Sequence, residues 1–354
     1  MYFDILMPAI LFIVTLVAMF MGNRTEAKLK STVEERELRN RDVALLVAMI
    51  AVAVSIVVFI PSLAIMAVFL FSYSSLLFTV SYAFSDMKKK RMTLYCGVFV
   101  VASILAGAAG FFGVLPANLK VIGTLVFAGL AFCAFSVWIY TQQNVDAKQK
   151  WYVAALSPAL FLLLFFFYSG TPIWFPYLLD VYGLIFAFLI VIYLSTLFTW
   201  KTVFIFAGFL TLMDIILVWV TGTMVQAANA VSGLGLPVLV AFPTIPFITV
   251  EGSILILRLG LGDFFFAGIL ATQTLKKFGR KTAVVSVLTM SVSFGLFELL
   301  LLNPTAFHAL PATLPIILGW LPTVAAKMLS ERKQKTVAKL ENTPSESLSA
   351  PVHL

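Results

Sequence analysis

Two aspartates, Asp214 and Asp263, lie inside long apolar stretches of this chain. A carboxylate inside a bilayer is costly, so an acidic residue in such a stretch is a functional candidate by default. Asp214 follows Lys201 by 13 residues, and Asp263 precedes Lys276 by 13 residues. Because a helix rises about 1.5 Å per residue, both are expected about 20 Å from one membrane face, on consecutive antiparallel helices. The spacing therefore predicts that the two carboxyl groups meet.

Two facing carboxyl groups in a low-dielectric site do not both ionise, because like charges repel. One ionised and one protonated carboxyl is the state that an aspartyl hydrolase uses. The ionised group takes a proton from water as the water attacks an amide carbon, and the protonated group polarises the carbonyl. Buried acids also relay protons in transporters. A proton-coupled transporter is therefore the alternative, and depth in the membrane does not separate the two classes.

Glycine and proline motifs accompany the second aspartate and the last apolar stretch. Asp263 ends the quartet Gly260-Leu261-Gly262-Asp263. Glycines let another backbone approach closely and let a helix begin or flex at that point. The last stretch opens with Leu310-Pro311-Ala312-Thr313-Leu314-Pro315, whose prolines leave backbone groups free for a ligand. Pro311 lies 16 residues before Lys327, roughly 24 Å from the inner face and near the depth of the aspartates.

Three other acidic residues lie inside apolar stretches, and each has an ordinary structural explanation. Asp4 is close to the outer end of the first stretch, where we expect it to be solvated. Asp180 lies near the outer start of its stretch and is interpreted as interfacial. Glu298 lies toward the outer end of its stretch, where a hydrogen bond to a neighbouring helix is the expected role.

The composition explains where these residues must lie. Of the 354 residues, 61% are hydrophobic and 11% charged, whereas a soluble domain has about 25% charged residues. This predicts an all-α polytopic membrane protein whose solvent is the lipid bilayer, since a helix needs about 20 apolar residues to cross it. Pro61 divides one long stretch into a hairpin. The eleven candidate spans are 3–21, 43–60, 62–84, 92–113, 121–140, 151–168, 175–197, 202–224, 253–274, 282–302 and 308–326.

The basic residues predict the orientation, because they collect on the cytosolic side of membrane proteins. With the N-terminus outside, 22 of the 24 Lys and Arg residues fall in inner loops or the C-terminal tail, and only Lys120 and Arg258 do not. The C-terminus is therefore expected in the cytosol, at the plasma membrane of a prokaryote or the endoplasmic reticulum or endomembrane of a eukaryote. The net charge of +8 has this topological explanation, so no nucleic-acid partner is expected.

The remaining segments carry little chemistry. Residues 225–252 are rich in glycine and proline and predict an outer loop with short extended pieces. Residues 330–354 predict a disordered cytosolic tail. Cys96 and Cys133 are interpreted as packing residues, and neither a metal site nor a cofactor is expected.

Together, Met213-Asp214, Gly260-Leu261-Gly262-Asp263 and the 310–315 proline motif, in that order, resemble the GxGD intramembrane aspartyl proteases, the presenilin and signal-peptide-peptidase family. The similarity covers about residues 151–326. It implies a catalytic dyad of Asp214 and Asp263 and no cofactor. The further active-site motif residues that it implies are Gly260, Leu261, Gly262, Leu310, Pro311, Ala312 and Thr313.

The resemblance also implies a domain organisation. Nine helices form the family core, so residues 1–61 would be two extra N-terminal helices with a basic cytosolic loop. Residues 62–150 would be the N-terminal part of the core, 151–329 the catalytic part and 330–354 the tail. The implied substrates are transmembrane segments or leftover signal peptides, and a homo-oligomer is compatible with this reading.

The chain departs from the family pattern at two positions. Met213 stands where the family usually has tyrosine, and Thr313 stands where its Pro-Ala-Leu signature has leucine. The cytosolic C-terminus is similar to that of signal peptide peptidases and differs from that of presenilins, which favours an archaeal-type or signal-peptide-peptidase-like member. Prepilin peptidases also use GxGD, but they typically have a lysine two residues after its aspartate, where this chain has Phe265. They are the weaker enzymatic alternative.

The segment before the glycine motif has two interpretations. Residues 254–259 are either an extended edge that pairs with an unwound substrate or the first turns of the helix that carries Asp263. Proline at Leu257 is the substitution that the sequence suggests for removing a backbone donor from such an edge.

The orientation is directly testable. A reporter fused after Leu354 should be cytosolic, and one inserted near Ser232 should be external, because the basic loops stay on the inner side. Paired fusions to a reporter active only outside and a reporter active only inside measure both positions. Activity of the external reporter at the C-terminus would overturn the orientation and the comparison with signal peptide peptidases.

Overall fold

The computed structural model describes residues 2–32, 38–143, 150–250, 252–303 and 309–341. Helices account for most of this part of the chain. The first seven are α1 Leu6–Thr32, α2 Asn40–Val57, α3 Ser62–Ala83, α4 Lys89–Ala109, α5 Ala117–Gln143, α6 Trp151–Ala154 and α7 Leu156–Tyr168. The next six are α8 Leu179–Leu194, α9 Trp200–Ile215, α10 Thr223–Ser232, α11 Leu261–Phe278, α12 Arg280–Leu302 and α13 Thr313–Glu341.

Wider π-helical turns extend three of these helices, at Gly110–Val114, Trp174–Leu178 and Ile216–Val220. Within the described residues, nine helices are long and apolar enough to cross a membrane. The protein is therefore an integral multi-pass membrane protein. Each of the eleven predicted spans contains a helix, but two do not reach a full apolar crossing. The apolar part of α1, Leu6–Gly22, is short, and α11 carries Asp263, Lys276 and Lys277 within 18 residues.

The predicted span 253–274 begins too early. Four short strands precede the helix: β1 Leu239–Pro243, β2 Thr249–Val250, β3 Ser253–Ile254 and β4 Ile256–Gly260. Strand β4 pairs antiparallel with β1, and β3 pairs with β2. The helix begins only at Leu261, because the backbone up to Gly260 is committed to this pairing. The extended pieces expected within 225–252 are β1 and β2, but residues 225–232 are helical in α10 and not a loop. Residues 330–341, expected to belong to a disordered tail, are helical in α13, and residues 342–354 lie outside the described part of the chain.

Helix α11 lies at the centre of the bundle. An almost unbroken run of its residues, from Phe264 to Thr274, is buried, as expected for a helix that is apolar all round. It packs against α1, α8, α9, α12 and α13. Helix α1 also contacts α8 and α12, and α2 contacts α9 and α10. The N-terminal helices therefore pack directly on the helices that carry the two aspartates.

The approach of α13 to α12 depends on a glycine. A Cβ atom at Gly319 would lie 2.4 Å from the carbonyl oxygen of Thr289 and 2.7 Å from the Cα atom of Met290. Small residues at helix contacts in membranes let backbones approach closely in this way. The next residue, Trp320, is fully buried and donates a hydrogen bond from Nε1 to Thr274 Oγ1 of α11 at 2.8 Å. These contacts hold α13 against both neighbours.

Gly319→Ala is expected to destabilise the fold, because the new methyl group would overlap the backbone of α12 and force the helices apart. Overpacking of this kind costs about 1–3 kcal/mol. The measurement is the apparent melting midpoint of the purified protein in detergent. Gly208→Ala on α9 is the matched control, since a Cβ atom there meets nothing within 4 Å. Equal midpoints for the two variants would contradict the close approach.

Candidate active site

The glycine quartet forms the junction between β4 and α11. Gly260 is extended (φ −72°, ψ 147°) and precedes the first helical residue, Leu261. Asp263 is the third residue of the helix, and its Oδ2 atom accepts a hydrogen bond from the Gly260 N–H at 3.2 Å. A carboxylate in the first turn of a helix satisfies a backbone donor that has no partner within the helix. The motif thus fixes its own aspartate by local geometry.

Asp214 is held by the proline motif. It lies one residue before the end of α9. Its Oδ2 atom accepts two hydrogen bonds from Thr313, one from the hydroxyl Oγ1 at 2.6 Å and one from the backbone N–H at 3.2 Å. Thr313 is the first residue of α13, so its N–H is one of the donors that a helix start leaves free. The N-terminus of α13 and a side chain of α9, 99 residues apart in the chain, are thereby joined.

The two aspartates face the same cavity. It has a volume of about 320 Å³, and Asp214 and Asp263 both line it. The two carboxyl groups interact electrostatically. The fold therefore brings both aspartates to one cavity. The lining also contains polar and charged residues from three other elements, namely Asn229 and Ser232 of α10, Arg258 of β4 and Glu298 of α12.

The other motif residues divide into two groups. Gly260, Leu310 and Ala312 line the cavity. Leu261 instead packs into the hydrophobic core with 5% of its surface exposed. Gly262 and Pro311 are not among the lining residues, and Thr313 acts through its bonds to Asp214. The motifs therefore mainly position the carboxyl groups, and only some of their residues line the cavity.

Asp4 is not solvated, which contradicts the expectation from its sequence position, and Asp180 is likewise enclosed by protein. Both are buried, with 8% and 6% of their surface exposed. Asp180 Oδ1 accepts a hydrogen bond from the Ala241 N–H of β1 at 2.8 Å. Asp4 accepts bonds from the N–H groups of Leu6 and Met7 at the start of α1, and from the Ile245 N–H at 2.6 Å. Both therefore tie helices to the segment around β1, a role that no local pattern indicates.

Glu298 also differs from its expected role. It is buried, with 6% of its surface exposed, and its Oε2 atom has no hydrogen-bond partner in the described part of the chain. The expected bond from this oxygen to a neighbouring helix is therefore not made. The side chain contributes instead to the wall of the cavity that holds the two aspartates.

The strand register determines which backbone groups face the cavity. The Leu261 N–H donates to Val238 O, and the Thr244 N–H donates to Leu255 O. In an antiparallel pair, residues with hydrogen-bonded partners alternate with residues that point their N–H and C=O outward. Leu257 and Leu259 therefore face β1, whereas Ile256, Arg258 and Gly260 present their backbone groups on the opposite edge.

This register resolves the two interpretations of residues 254–259. The chain is extended at 253–254 and 256–260, and helical turns begin only afterwards. The outer edge of β1 is occupied, because the Ala241 N–H bonds to Asp180 of α8. Proline at Leu257 would break the pairing with β1 and leave the outer edge of β4 unchanged. The position that tests this edge is therefore Arg258.

Comparison with known proteins adds no identification, since no family model, curated protein or solved structure matches the chain. Within the described residues, no three His, Cys, Asp or Glu side chains cluster closely enough to hold a metal ion.

Proposed function

We propose that the protein is an intramembrane aspartyl protease in which Asp214 and Asp263 are the catalytic pair. One observation carries the proposal: the carboxyl groups of Asp214 on α9 and Asp263 on α11 line a single cavity, where Thr313 of the proline motif holds the first and Gly260 of the glycine motif holds the second. The resemblance to the presenilin and signal-peptide-peptidase family rests on the same residues. The fold supports it further, because irregular backbone lies inside a helical bundle only where protein or a cavity surrounds it.

The chemistry needs one ionised and one protonated carboxyl group. The ionised carboxylate takes a proton from a water molecule as the water oxygen bonds to the scissile carbonyl carbon. The protonated carboxyl gives its proton to the carbonyl oxygen, which yields a neutral gem-diol. The C–N bond then breaks as the nitrogen takes a proton from the first carboxyl, and the second recovers a proton from a gem-diol hydroxyl. Both aspartates return to their starting states.

The edge of β4 suggests how a substrate is presented. Peptide bonds in a transmembrane helix are hydrogen-bonded within the helix, so a segment must unwind before water reaches its carbonyl carbon. An unwound segment finds backbone partners by adding a strand to an exposed sheet edge. The backbone groups of Ile256, Arg258 and Gly260 point away from β1, and this edge ends at Gly260, whose N–H is bonded to Asp263. Leu310 and Ala312, before α13, line the same cavity.

The orientation selects the substrate class. With a cytosolic C-terminus, the dyad would favour transmembrane segments of type II orientation, including leftover signal peptides in the bilayer. Proton-coupled transport is the non-enzymatic alternative, since buried acids also relay protons. A peptide-like aspartyl-protease inhibitor distinguishes the protease from the transporter, because a transporter is not expected to be labelled specifically by such an inhibitor.

Asp214→Asn and Asp263→Asn should each abolish cleavage, because an amide can supply neither the base nor the acid. A general acid or base contributes about 10²–10⁴-fold, so each rate should fall at least about 100-fold. The assay incubates the purified protein with a model signal peptide and identifies the products by mass spectrometry. The rate of the unchanged protein should be bell-shaped in pH, since the pair titrates as a unit.

Two acidic residues outside the pair serve as controls. Asp180→Asn keeps a carbonyl oxygen that can accept the Ala241 N–H, and Glu298→Gln keeps the size of its side chain. Both should retain much of the cleavage. Near-normal cleavage by Asp263→Asn would contradict the proposed chemistry. Labelling by the inhibitor without cleavage of any tested substrate would show that the assumed class of peptide substrate is wrong.

Arg258→Pro should strongly reduce cleavage, because it removes a backbone donor from the outer edge of β4 while the pairs of Leu257 and Leu259 with β1 remain. Arg258→Ala is the matched control for loss of the charged side chain and should cleave at a rate much closer to normal. Binding of a small active-site inhibitor that does not reach the edge reports whether the cavity is intact. Full cleavage by the proline variant would exclude strand addition at this edge.

A further inference from the structure

Thr313 stands in direct contact with one of the two aspartates. Its hydroxyl and its backbone N–H both donate to Asp214 Oδ2, at 2.6 and 3.2 Å. Thr313 is 4% exposed and does not line the cavity, so its hydroxyl contacts the carboxylate and not a ligand in the cavity. The leucine that the family resemblance leads one to expect at this position has no hydrogen-bonding group. The hydroxyl is therefore a feature of this chain.

The two aspartates have different sets of donors. Asp214 Oδ2 accepts two hydrogen bonds, one of them short and from a hydroxyl. Asp263 Oδ2 accepts one, from the Gly260 N–H at 3.2 Å. Hydrogen bonds donated to a carboxylate stabilise its ionised form, and those to a charged acceptor are short and strong. Each carboxyl group accepts one bond from a backbone N–H at a helix start, that of α13 for Asp214 and that of α11 for Asp263, so the threonine hydroxyl is the donor that distinguishes the two sites.

We propose that Thr313 is a positioning residue that holds Asp214 as the ionised carboxylate, which makes Asp214 the general base and Asp263 the general acid. This assignment rests on the proposed protease function. Asp214 then takes the proton of the attacking water, and Asp263 gives its proton to the scissile carbonyl oxygen. When the C–N bond breaks, the leaving nitrogen takes the proton held by Asp214, and Asp263 is reprotonated from the gem-diol.

The charged groups around Asp214 are few. Asp263 of α11, Arg258 of β4 and Glu298 of α12 line the same cavity, α10 contributes the neutral Asn229, and the described start of α13 contributes Thr313. A change of Thr313 to valine leaves all of these in place and preserves the backbone donor. The resulting effect on pH dependence therefore reports the hydroxyl.

The test compares cleavage rate against pH for the full-length purified protein and two variants. Thr313→Val removes the hydroxyl from a side chain of nearly the same shape. The acid limb of its profile should move to higher pH by about one unit, because a lost bond to a charged group is worth about that much. Below that limb the rate should fall about tenfold. Thr313→Ser keeps the hydroxyl and should restore the original profile.

Thr323→Val is the matched control on the same helix. Its hydroxyl bonds to Thr289 Oγ1 of α12 at 3.0 Å and touches no acid, so its loss should leave the pH profile unmoved. A Thr313→Val profile that falls evenly at all pH values, or a serine variant that fails to restore the limb, would overturn the inference. Absence of cleavage by the unchanged protein would instead overturn the protease proposal, which keeps the two failures distinct.

Discussion

The pairing of buried carboxylates with free backbone N–H groups is the interaction on which this structure depends. Where helices stop inside a bilayer, their first N–H groups have no partner in the chain and no water to bind. Here four acidic side chains accept bonds from backbone N–H groups at the starts of α11 and α13 and in the segment around β1. Asp4 accepts from Ile245, Asp180 from Ala241, Asp214 from Thr313 and Asp263 from Gly260. Each pair offsets two costs, a buried charge and an unpaired amide.

These pairings satisfy backbone groups of an irregular segment that packs against the helices. The segment from β1 to β4 is enclosed by helices on one side, where α8 and α1 bind it through Asp180 and Asp4. Its other edge faces the cavity between α10, α12 and the start of α13. The backbone groups of the extended chain are therefore hydrogen-bonded on the side that protein covers, and those on the edge toward the cavity are accessible to a ligand. That asymmetry is what makes strand addition by a substrate a reasonable proposal.

Close helix contacts give the site its rigidity. Gly319 brings α13 against the backbone of α12, and Trp320 bonds to α11. The first residue of that same helix, Thr313, holds Asp214 of α9. Helix α11 is buried from Phe264 to Thr274, so its neighbours fix the helix whose first turn carries Asp263. The positions of both aspartates are therefore set by packing well away from the cavity.

The amino-acid sequence was sufficient for the multi-pass membrane class and for the presence of a helix within each predicted span, because apolar runs and helix breakers act over a few neighbouring residues. It did not reveal the start of α11, which depends on pairing between 239–243 and 256–260. Nor did it show that Leu257 faces β1 and Arg258 the cavity, since a shift of one residue reverses every backbone group in a strand.

The roles of Asp4, Asp180, Glu298 and the Thr313 hydroxyl were equally hidden. Asp4 bonds to a residue 241 positions away, and Thr313 to one 99 positions away. No periodicity or spacing connects such residues, because contacts of that range exist only once the helices have packed. The residues able to do chemistry were therefore visible in the chain, but the partners that hold and distinguish them were set by the assembled bundle.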